Sequence, residues 1–296
     1  MRVDLVIPFV DSTDPEWLSL YQKTFAEAPI KKYRPNTDFL RYNLRSIAKN
    51  IPWIDTVHLV VMSESQIPNW VNKETVNIVY HSDIIPEQYL PTFNVSTIEL
   101  FQHKIPNLAE HYLIGNDDYF IIAPLTKEDF YTPNGMPKIT WMKGINIENT
   151  TPWQSQVSKM YHFFVKDLAG DVIVPNHTYS PHTKRSWNQL WNEYTKELSE
   201  SITLRADGKN FCQYAAQYFL LSKQECTSGN IDGACYQFIL PYVLCFMYDL
   251  ISQNRDMLCL NDTCDDDSLI DECSPIYKKV INLLQESFPE KCKYEC

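Results

Sequence analysis

Glycine is scarce in this chain, with 7 among 296 residues, and neither G-x-G-x-x-G nor G-x-x-x-x-G-K occurs. Those glycine-rich loops let the backbone approach and cradle phosphate groups in the common nucleotide-binding folds. Proline, in contrast, is plentiful, at 18 residues. A nucleotide bound by this chain must therefore be held by other means.

Long apolar runs and an excess of positive charge are also missing. No 18-residue apolar stretch occurs, which argues against a membrane-spanning helix in this sequence. The formal net charge of -11 argues against a nucleic-acid-binding protein, which would need a basic face. Met1–Pro8 lacks the apolar segment and cleavage site of a signal peptide. We expect a cytoplasmic protein, or one whose targeting segment is not in this sequence.

Cysteine is absent from the first two thirds of the chain. All nine cysteines lie from Cys212 to Cys296, no C-x-x-C pair occurs, and no histidine follows His182. This spacing gives little support for a structural zinc site. The odd count favours reduced thiols over disulfides in a reducing compartment.

Strands and helices alternate through the first half. Apolar runs predict buried strands at Val3–Val10, Val57–Met62, Val76–Tyr80 and Tyr112–Ile114. Helices are predicted between them, over Phe39–Asn50 and from Asn94 to about Lys104. This alternation predicts an α/β fold with a mostly parallel sheet and helices on its faces.

The second half is predicted to be mainly helical. Candidate helices cover Ser155–Leu168, Ser186–Ser201, Lys209–Leu221, Tyr236–Ser252 and Pro275–Ser287, with an irregular stretch at Val174–Arg185. We expect residues 1–150 to form the α/β core and residues 151–296 to close over it. The two parts form either two domains or one continuous catalytic domain, 1–296.

Carboxylates follow two of the predicted strands. Asp117 and Asp118 come after Tyr112–Ile114, and open α/β sheets bind ligands outside the carboxyl ends of their strands. Such a pair can hold Mg²⁺ or Mn²⁺, which can neutralise a diphosphate; a solvated turn is the alternative. Asp11 leaves the first strand where a ribose or base would sit. Alternatively, Asp11 and Asp14 form a turn that caps the next helix.

Cations and imidazoles lie further along the chain. Arg41 and Arg45 share one helix face, where they can clamp a diphosphate or simply face solvent. The segment Asn176–Arg185 offers a histidine as general base for an alcohol, or is a basic surface loop. Arg205 stands alone after an apolar run, as a phosphate ligand or an exposed charge.

Four blocks of residues, taken in order, resemble the Stealth family. Asp4–Pro15 is similar to the family's D-V-V-Y-T-W-V-D-G-S-D-P, with Pro8-Phe9 in place of Thr-Trp. The second block runs from Leu40 to Asp118 and is the most specific. The third is His177–Lys184 with Leu204-Arg205, and the fourth is Cys259–Asp262. The family comprises capsular and cell-wall polysaccharide phosphotransferases related to the N-acetylglucosamine-1-phosphotransferase alpha/beta precursor.

The resemblance implies a reaction and a fold. It implies transfer of a sugar-1-phosphate from a nucleotide sugar, usually UDP-linked, to a glycan hydroxyl, with release of UMP. The fold implied is a Rossmann-like nucleotide-diphosphosugar core with additional C-terminal helices. A lipid-linked glycan acceptor would bring the protein to the inner face of a membrane. A metal-dependent glycosyltransferase releasing UDP and a non-catalytic carbohydrate-binding protein are the alternatives.

Residue types and the resemblance together suggest individual roles. Asp117 and Asp118 are expected to hold Mg²⁺ or Mn²⁺ at the reacting phosphate. His177 is the expected general base, with His182 as second choice. The expected phosphate cations are Arg41, Arg45, Lys184 and Arg205. The expected substrate-binding or site-shaping residues are Asp11, Asn94, Glu99 and Asn116.

Overall fold

The computed structural model describes residues 1–26, 38–145, 151–166, 172–205, 208–238, 240–261 and 275–296. The α-helices are α1 Pro15–Phe25, α2 Phe39–Asn50, α3 His81–Ile84, α4 Val95–Phe101, α5 Lys127–Phe130, α6 Pro152–Val165, α7 Lys184–Glu200, α8 Tyr214–Lys223, α9 Leu240–Ser252 and α10 Pro275–Ser287. The strands are β1 Val3–Pro8, β2 Val57–Val61, β3 Val76–Tyr80, β4 His111–Ile114, β5 Tyr119–Ile121, β6 Lys138–Ile139, β7 Trp141–Ile145, β8 Val172–Pro175, β9 Ser180–Thr183, β10 Thr227–Ser228, β11 Gly233–Gln237 and β12 Met257–Asn261.

A five-stranded sheet in the order β3-β2-β1-β4-β9 forms the centre of the fold. Its first four strands are parallel, with Leu5 of β1 aligned with Val57 on one side and Leu113 on the other. The edge strand β9 is antiparallel to β4. All residues of β1 and β2 are buried, as expected for strands covered on both faces. The predicted α/β, Rossmann-like architecture is confirmed.

A second, three-stranded sheet joins the C-terminal half of the chain to the core. Its order is β11-β12-β5; β12 runs parallel to β11 and antiparallel to β5. Helices α9 and α10 pack against this sheet in one apolar cluster that includes Phe120, Phe246 and Leu284. Burial of each such side chain stabilises the fold by roughly 1.5–3 kcal/mol. The pairing fixes residues 233–261 beside the segment that follows β4.

Several predicted elements have the expected bounds, and two predictions were wrong. Phe39–Asn50, Val76–Tyr80 and Pro275–Ser287 form where the sequence pattern placed them. The helix predicted over Tyr236–Ser252 begins only at Leu240, because the preceding residues pair with β12 as β11. The supposedly irregular Val174–Arg185 contributes to β8 and β9, since pairing with β7 and β4 orders it.

The two predicted halves share one hydrophobic core. Strand β9 completes the central sheet, and Trp187 of α7 packs in the same cluster as Tyr112 of β4. The division at residue 150 and the alternative of one continuous unit, 1–296, both stay predictions. Among the described residues, no helix is long and apolar enough to cross a membrane.

Candidate active site at the carboxyl edge of the central sheet

A short turn carries the two carboxylates out of β4. We call Gly115–Asp118 the acidic turn; Gly115 N–H donates to the Val6 carbonyl, so the turn lies at the carboxyl edge beside the end of β1. The Tyr179 ring packs directly on Gly115, where a Cβ atom would lie 2.2 Å from a ring carbon. Only glycine, which has no Cβ atom, allows the Tyr179 ring to come this close to the backbone of the acidic turn.

Asn43 of α2 holds the acidic turn from below. Its Nδ2 donates to the carbonyls of Asn116 (2.9 Å) and Tyr119 (2.6 Å), and lies 2.5 Å from the Tyr179 hydroxyl. Asn43 is fully buried, so these bonds replace the lost water contacts of its Nδ2 group. Asn43 is not among the predicted site residues. Its one signal was an asparagine lying between the apolar residues of α2.

The acidic turn concentrates negative charge in a poorly hydrated place. Asp118 is 7% exposed, and Asp117 and Asn116 are half-buried. Burial raises the pKa of Tyr179 well above its usual value, the Asn43 hydrogen bond lowers it, and the charges of Asp118 and Asp117 raise it further. The carboxylate and amide oxygens are the hard ligands that Mg²⁺ and Mn²⁺ prefer. The donor set therefore fits the expected ion.

His177 lies at the same edge of the sheet. It precedes β9, whose first residue, Ser180, pairs with Ile114 at the end of β4. Its Nδ1 is 2.9 Å from the Tyr214 hydroxyl, and its ring meets the Tyr119 ring edge-on at 5.5 Å. Burial lowers the pKa of His177 to about 4, so the imidazole is neutral near pH 7. If Nδ1–H donates to Tyr214, Nε2 keeps the lone pair that a general base needs.

The other histidine of this segment is not available for chemistry. His182 is fully buried, with Nε2 3.0 Å from the Ser180 hydroxyl and Nδ1 accepting from the Trp187 indole at 3.3 Å. It lies within the edge strand β9, where it pairs with Tyr112 of β4. The second-choice assignment of His182 as base was therefore wrong.

Lys184 lies at the opposite edge of the sheet. Because β9 runs antiparallel to β4, the chain reaches the amino edge at Thr183, and Lys184 N–H donates to the Glu110 carbonyl. At about 3.3 Å per residue, Lys184 is on the order of 13 Å from Ser180. The assignment of Lys184 as a phosphate ligand at the acidic turn was wrong.

Arg41 and Arg45 face away from the acidic turn. Each is two residues from Asn43, about 200° around the helix at 100° per residue, so both lie on the opposite face. Arg45 binds Glu295 through Nε and Nη2 at 2.7 and 2.9 Å, and Nη1 donates to the Phe288 carbonyl. Arg41 stacks on Trp70, with Nε 3.5 Å from Glu295. The predicted diphosphate clamp was wrong, because these guanidiniums anchor the C-terminal segment.

Two residues expected to bind substrate are interior. Asn94 is fully buried; its Oδ1 accepts from Ser96 N–H, and its Nδ2 donates to Thr203. Glu99 is buried and accepts from the backbone and side-chain amides of Gln213 at 3.0 and 3.1 Å. Burial raises the pKa of Glu99 to about 7, which those hydrogen bonds partly oppose. Neither side chain is open to a sugar, and the alternative that both residues shape the site stays a prediction.

Asp11 and Arg205 stay predictions. Asp11 follows β1 at the carboxyl edge, where its Oδ1 accepts from the amide and hydroxyl of Thr13. The neighbouring Asp14 caps α1 instead. The Arg205 guanidinium lies over the Phe25 ring at 5.4 Å, on a loop whose Leu204 carbonyl accepts from Phe93 N–H.

Asn261 also lies near the acidic turn and is not among the predicted site residues. The preceding residue, Leu260, donates its N–H to the Asp118 carbonyl at 3.1 Å, which sets Asn261 beside the acidic turn. Asn261 is half-buried and its carbonyl accepts from Phe238 N–H. The signal was the fourth block, Cys259–Asp262; its last residue lies outside the described residues.

A protein-family model matches the part of the chain that contains the second block, Leu40–Asp118. Residues 32–139 match the family model of Stealth protein CR2, conserved region 2. The Haemophilus influenzae capsular polysaccharide phosphotransferase fcs1 is 30% identical over 262 residues, 78% of this chain and 71% of that protein. This chain belongs to the Stealth family.

Other Stealth relatives carry the same kind of name. The capsular polysaccharide phosphotransferase cps1A of Actinobacillus pleuropneumoniae is 32% identical over 67% of this chain and 58% of its own length. LcbA of Neisseria meningitidis, another capsular polysaccharide phosphotransferase, is 26% identical over 97% of this chain and 83% of its own. All three relatives are named as phosphotransferases, which identifies the Stealth family as a family of enzymes.

Solved structures resemble the Stealth chain only distantly. Galactosyltransferase LgtC with donor and acceptor sugar analogues has a TM-score of 0.47 and 11% identity, covering 96% of this chain and 95% of that one. The inositol-1-phosphate CTP transferase from T. maritima has a TM-score of 0.41 and 12% identity, covering 97% and 96%.

Proposed function

We propose that this Stealth protein transfers a sugar-1-phosphate from a UDP-linked sugar to a glycan hydroxyl, forming a phosphodiester and releasing UMP. The family membership supplies the reaction class. The observation that carries the proposal is that the His177 ring contacts the ring of Tyr119, the residue that directly follows the acidic turn. Residues 58 positions apart in the chain thus share one edge of the sheet.

His177 acts on the acceptor. Its neutral Nε2 takes the proton of the acceptor hydroxyl while that oxygen attacks the sugar-side phosphorus, and the bond from phosphorus to the UMP oxygen breaks. The C1–O bond of the sugar stays intact. Tyr214 fixes the imidazole through Nδ1, as the third group does in other nucleophile–base–orienter arrangements.

Asp117 and Asp118 would hold Mg²⁺ or Mn²⁺. When bound, the ion would offset the charge of the diphosphate and of the departing UMP. Asn43 supports the acidic turn that carries the two carboxylates, through its bonds to the Asn116 carbonyl and the Tyr179 hydroxyl. Arg205 is our proposal for the phosphate cation, since Arg41, Arg45 and Lys184 point elsewhere.

The test is analysis of both products after incubation with a panel of nucleotide sugars, a glycan acceptor and Mg²⁺. We expect UMP by mass spectrometry and a diester signal in the phosphorus NMR spectrum of the glycan. His177→Ala should lower the formation of both by about 10²–10⁴-fold, and His162→Ala, a histidine on α6, should leave it near the native level. UDP with a phosphorus-free product would identify a glycosyltransferase, and neither nucleotide would indicate a binding protein.

We also propose that α9 touches the membrane surface that carries a lipid-linked acceptor. Leu240, Leu244, Tyr248 and Ile251 form one stripe at i, i+4, i+8 and i+11, and each is between 49% and 66% exposed. The stripe carries no charge and includes an aromatic residue, which suits insertion at a lipid interface. The net charge of -11 favours zwitterionic over anionic lipid.

Flotation with phosphatidylcholine vesicles tests this contact. The native chain should float with the vesicles, and the double variant Leu244→Asp/Tyr248→Asp should stay behind. Glu87→Gln, at an exposed position elsewhere, is the control. Equal flotation of native and variant chains contradicts the proposal. A dimer abolished by the double change would assign the stripe to a second copy of the chain.

A further inference from the structure

Two cysteines and the histidine of the active site converge beside the acidic turn. Cys235 and Cys259 occupy directly paired positions of the parallel strands β11 and β12, and their Sγ atoms are 3.4 Å apart. One sulfur from each cysteine and one ring nitrogen of His177 all lie within 4.8 Å of one another. On its other side, Cys259 pairs with Tyr119, the residue after the acidic turn.

We propose that His177, Cys235 and Cys259 form a binding site for a thiophilic divalent cation, with Zn²⁺ as the preferred ion. Zinc bonds of about 2.3 Å to sulfur in tetrahedral geometry place two sulfurs about 3.8 Å apart. The observed separation therefore needs to open by only a few tenths of an ångström. Mg²⁺ prefers oxygen ligands, so this site is chemically distinct from the carboxylate pair.

The surroundings of the imidazole suit a metal ligand. The Tyr214 hydroxyl engages Nδ1, which orients the ring and leaves Nε2 for the ion. Ligating histidines commonly have such a partner on the second nitrogen. Burial lowers the pKa of His177 to about 4, and a neutral imidazole does not have to lose a proton before binding.

Access and charge also permit binding. Cys235 is exposed, His177 is partly buried and Cys259 is buried, so an ion can enter from the Cys235 side. Binding releases the two thiol protons, and the two thiolates then balance the charge of the dication. Three protein ligands leave the fourth tetrahedral position to a water molecule.

An ion at this site would inhibit the transferase. The lone pair on Nε2 cannot bind the metal and accept the proton of the acceptor at the same time. This consequence, unlike the site itself, rests on the proposed function of His177 as general base. While a thiophilic metal ion occupies this site, the enzyme should therefore not turn over.

Cobalt titration tests the site without any activity measurement. Co²⁺ added to the full chain with a phosphine reductant should give a thiolate-to-cobalt charge-transfer band and tetrahedral ligand-field bands, saturating at one equivalent and lost on addition of Zn²⁺. Cys235→Ser should lose the charge-transfer intensity. Cys245→Ser, an exposed cysteine on α9, should keep it. Tyr214→Phe should weaken binding by about 10–100-fold.

The results separate the site from its consequence. A native-like cobalt spectrum in Cys235→Ser, or no thiolate band in the native chain, overturns the site. A disulfide between Cys235 and Cys259 that persists under the reductant overturns it as well. Zn²⁺ should inhibit product formation by the native enzyme and not by Cys235→Ser, whose circular dichroism checks its fold. A native cobalt spectrum without zinc inhibition keeps the site and contradicts the role of His177 as base.

Discussion

The two opposite faces of α2 contact different parts of the molecule. One face contacts the acidic turn and the other contacts the C-terminal segment. On one face Asn43 supports the acidic turn, which carries Asp117 and Asp118 and is directly followed by Tyr119, a ring contact of His177. On the other, Arg41 and Arg45 hold Glu295 and the C-terminal segment. The first face leads to the carboxylates of the acidic turn, and the second to a carboxylate that is paired with guanidiniums. The comparison teaches that support of the candidate site and anchoring of the C-terminal segment are separated by half a turn of one helix.

Removing both carboxylates of the acidic turn should have the largest effect. Asp117→Asn/Asp118→Asn should lower turnover by on the order of 10³-fold, because the charge that holds the ion is gone. The melting temperature should stay near that of the native chain. EDTA should have the same effect on the native enzyme. Full turnover in EDTA, or by the double variant, would exclude the acidic turn from the chemistry.

Breaking the anchor on the other face should affect stability instead. Glu295→Gln leaves Arg45 buried opposite a neutral amide, and loss of a buried partner typically costs about 3 kcal/mol. Denaturant unfolding should show this loss, with Glu290→Gln in the same segment as the exposed control. A stability unchanged in Glu295→Gln would show that the ion pair contributes nothing to folding.

Acid should destabilise this anchor in a defined direction. Burial alone would raise the pKa of Glu295, but its hydrogen bonds with Arg45 bring it below its usual value of 4.5. The folded state therefore binds its proton less tightly than the unfolded state. The stabilisation is complete above the unfolded pKa and is lost as the pH falls through the folded one. Glu295→Gln should remove this part of the acid dependence.

A moderate effect on catalysis is expected at Arg205. Loss of one charge-assisted contact costs about 1.5–3 kcal/mol, so Arg205→Ala should lower kcat/KM by roughly 10-fold or more. Arg205→Lys should recover only part, because lysine lacks the planar fork that matches phosphate. Steady-state kinetics decide, and native values in Arg205→Ala would return it to an ordinary surface charge.

The smallest expected effect concerns the pH profile of kcat/KM, namely the pH at which activity falls on the acid side. The pKa of His177 is lowered to about 4 by burial, so kcat/KM should hold through pH 6 and fall only near pH 4. A free imidazole would give a limb near 6.5. The same shift makes His177 a source of stability above pH 6.5 that is lost as the pH falls toward 4. A limb at 6.5 would contradict the buried, neutral imidazole.

The fold was largely predictable because it depends on local patterns. The apolar runs of β1, β2 and β3 and the period of α2 are readable from neighbouring residues, and their alternation leads to a parallel sheet. The acidic turn was also predictable, since a strand end followed by carboxylates indicates a crevice in any open α/β sheet.

The use of each cation was not predictable, because it depends on long-range docking. Lys184 is seven residues from His177, yet the antiparallel direction of β9 sends it to the other edge. The partner of Arg45 is 250 residues away in the chain. Sequence spacing showed that Arg41 and Arg45 share a face, but not which surface that face meets.

The thiol pair was hidden for a related reason. Cys235 and Cys259 are 24 residues apart and match no metal-binding spacing. The sequence pattern predicts a helix from Tyr236, which overlaps the end of β11, and so it does not predict that β11 pairs with β12. Only the register of two strands brings the sulfurs together, beside a histidine from a third segment.

The most direct measurement compares His177→Ala with Arg45→Ala in one product assay and one melting experiment. His177→Ala should lower kcat by about 10²–10⁴-fold and keep a melting temperature near the native value. Arg45→Ala should melt at a lower temperature and, assayed where it is folded, retain most of its turnover. The opposite pattern, with an active His177→Ala and a stable but inactive Arg45→Ala, would contradict the separation of chemistry and anchoring on the two faces of α2.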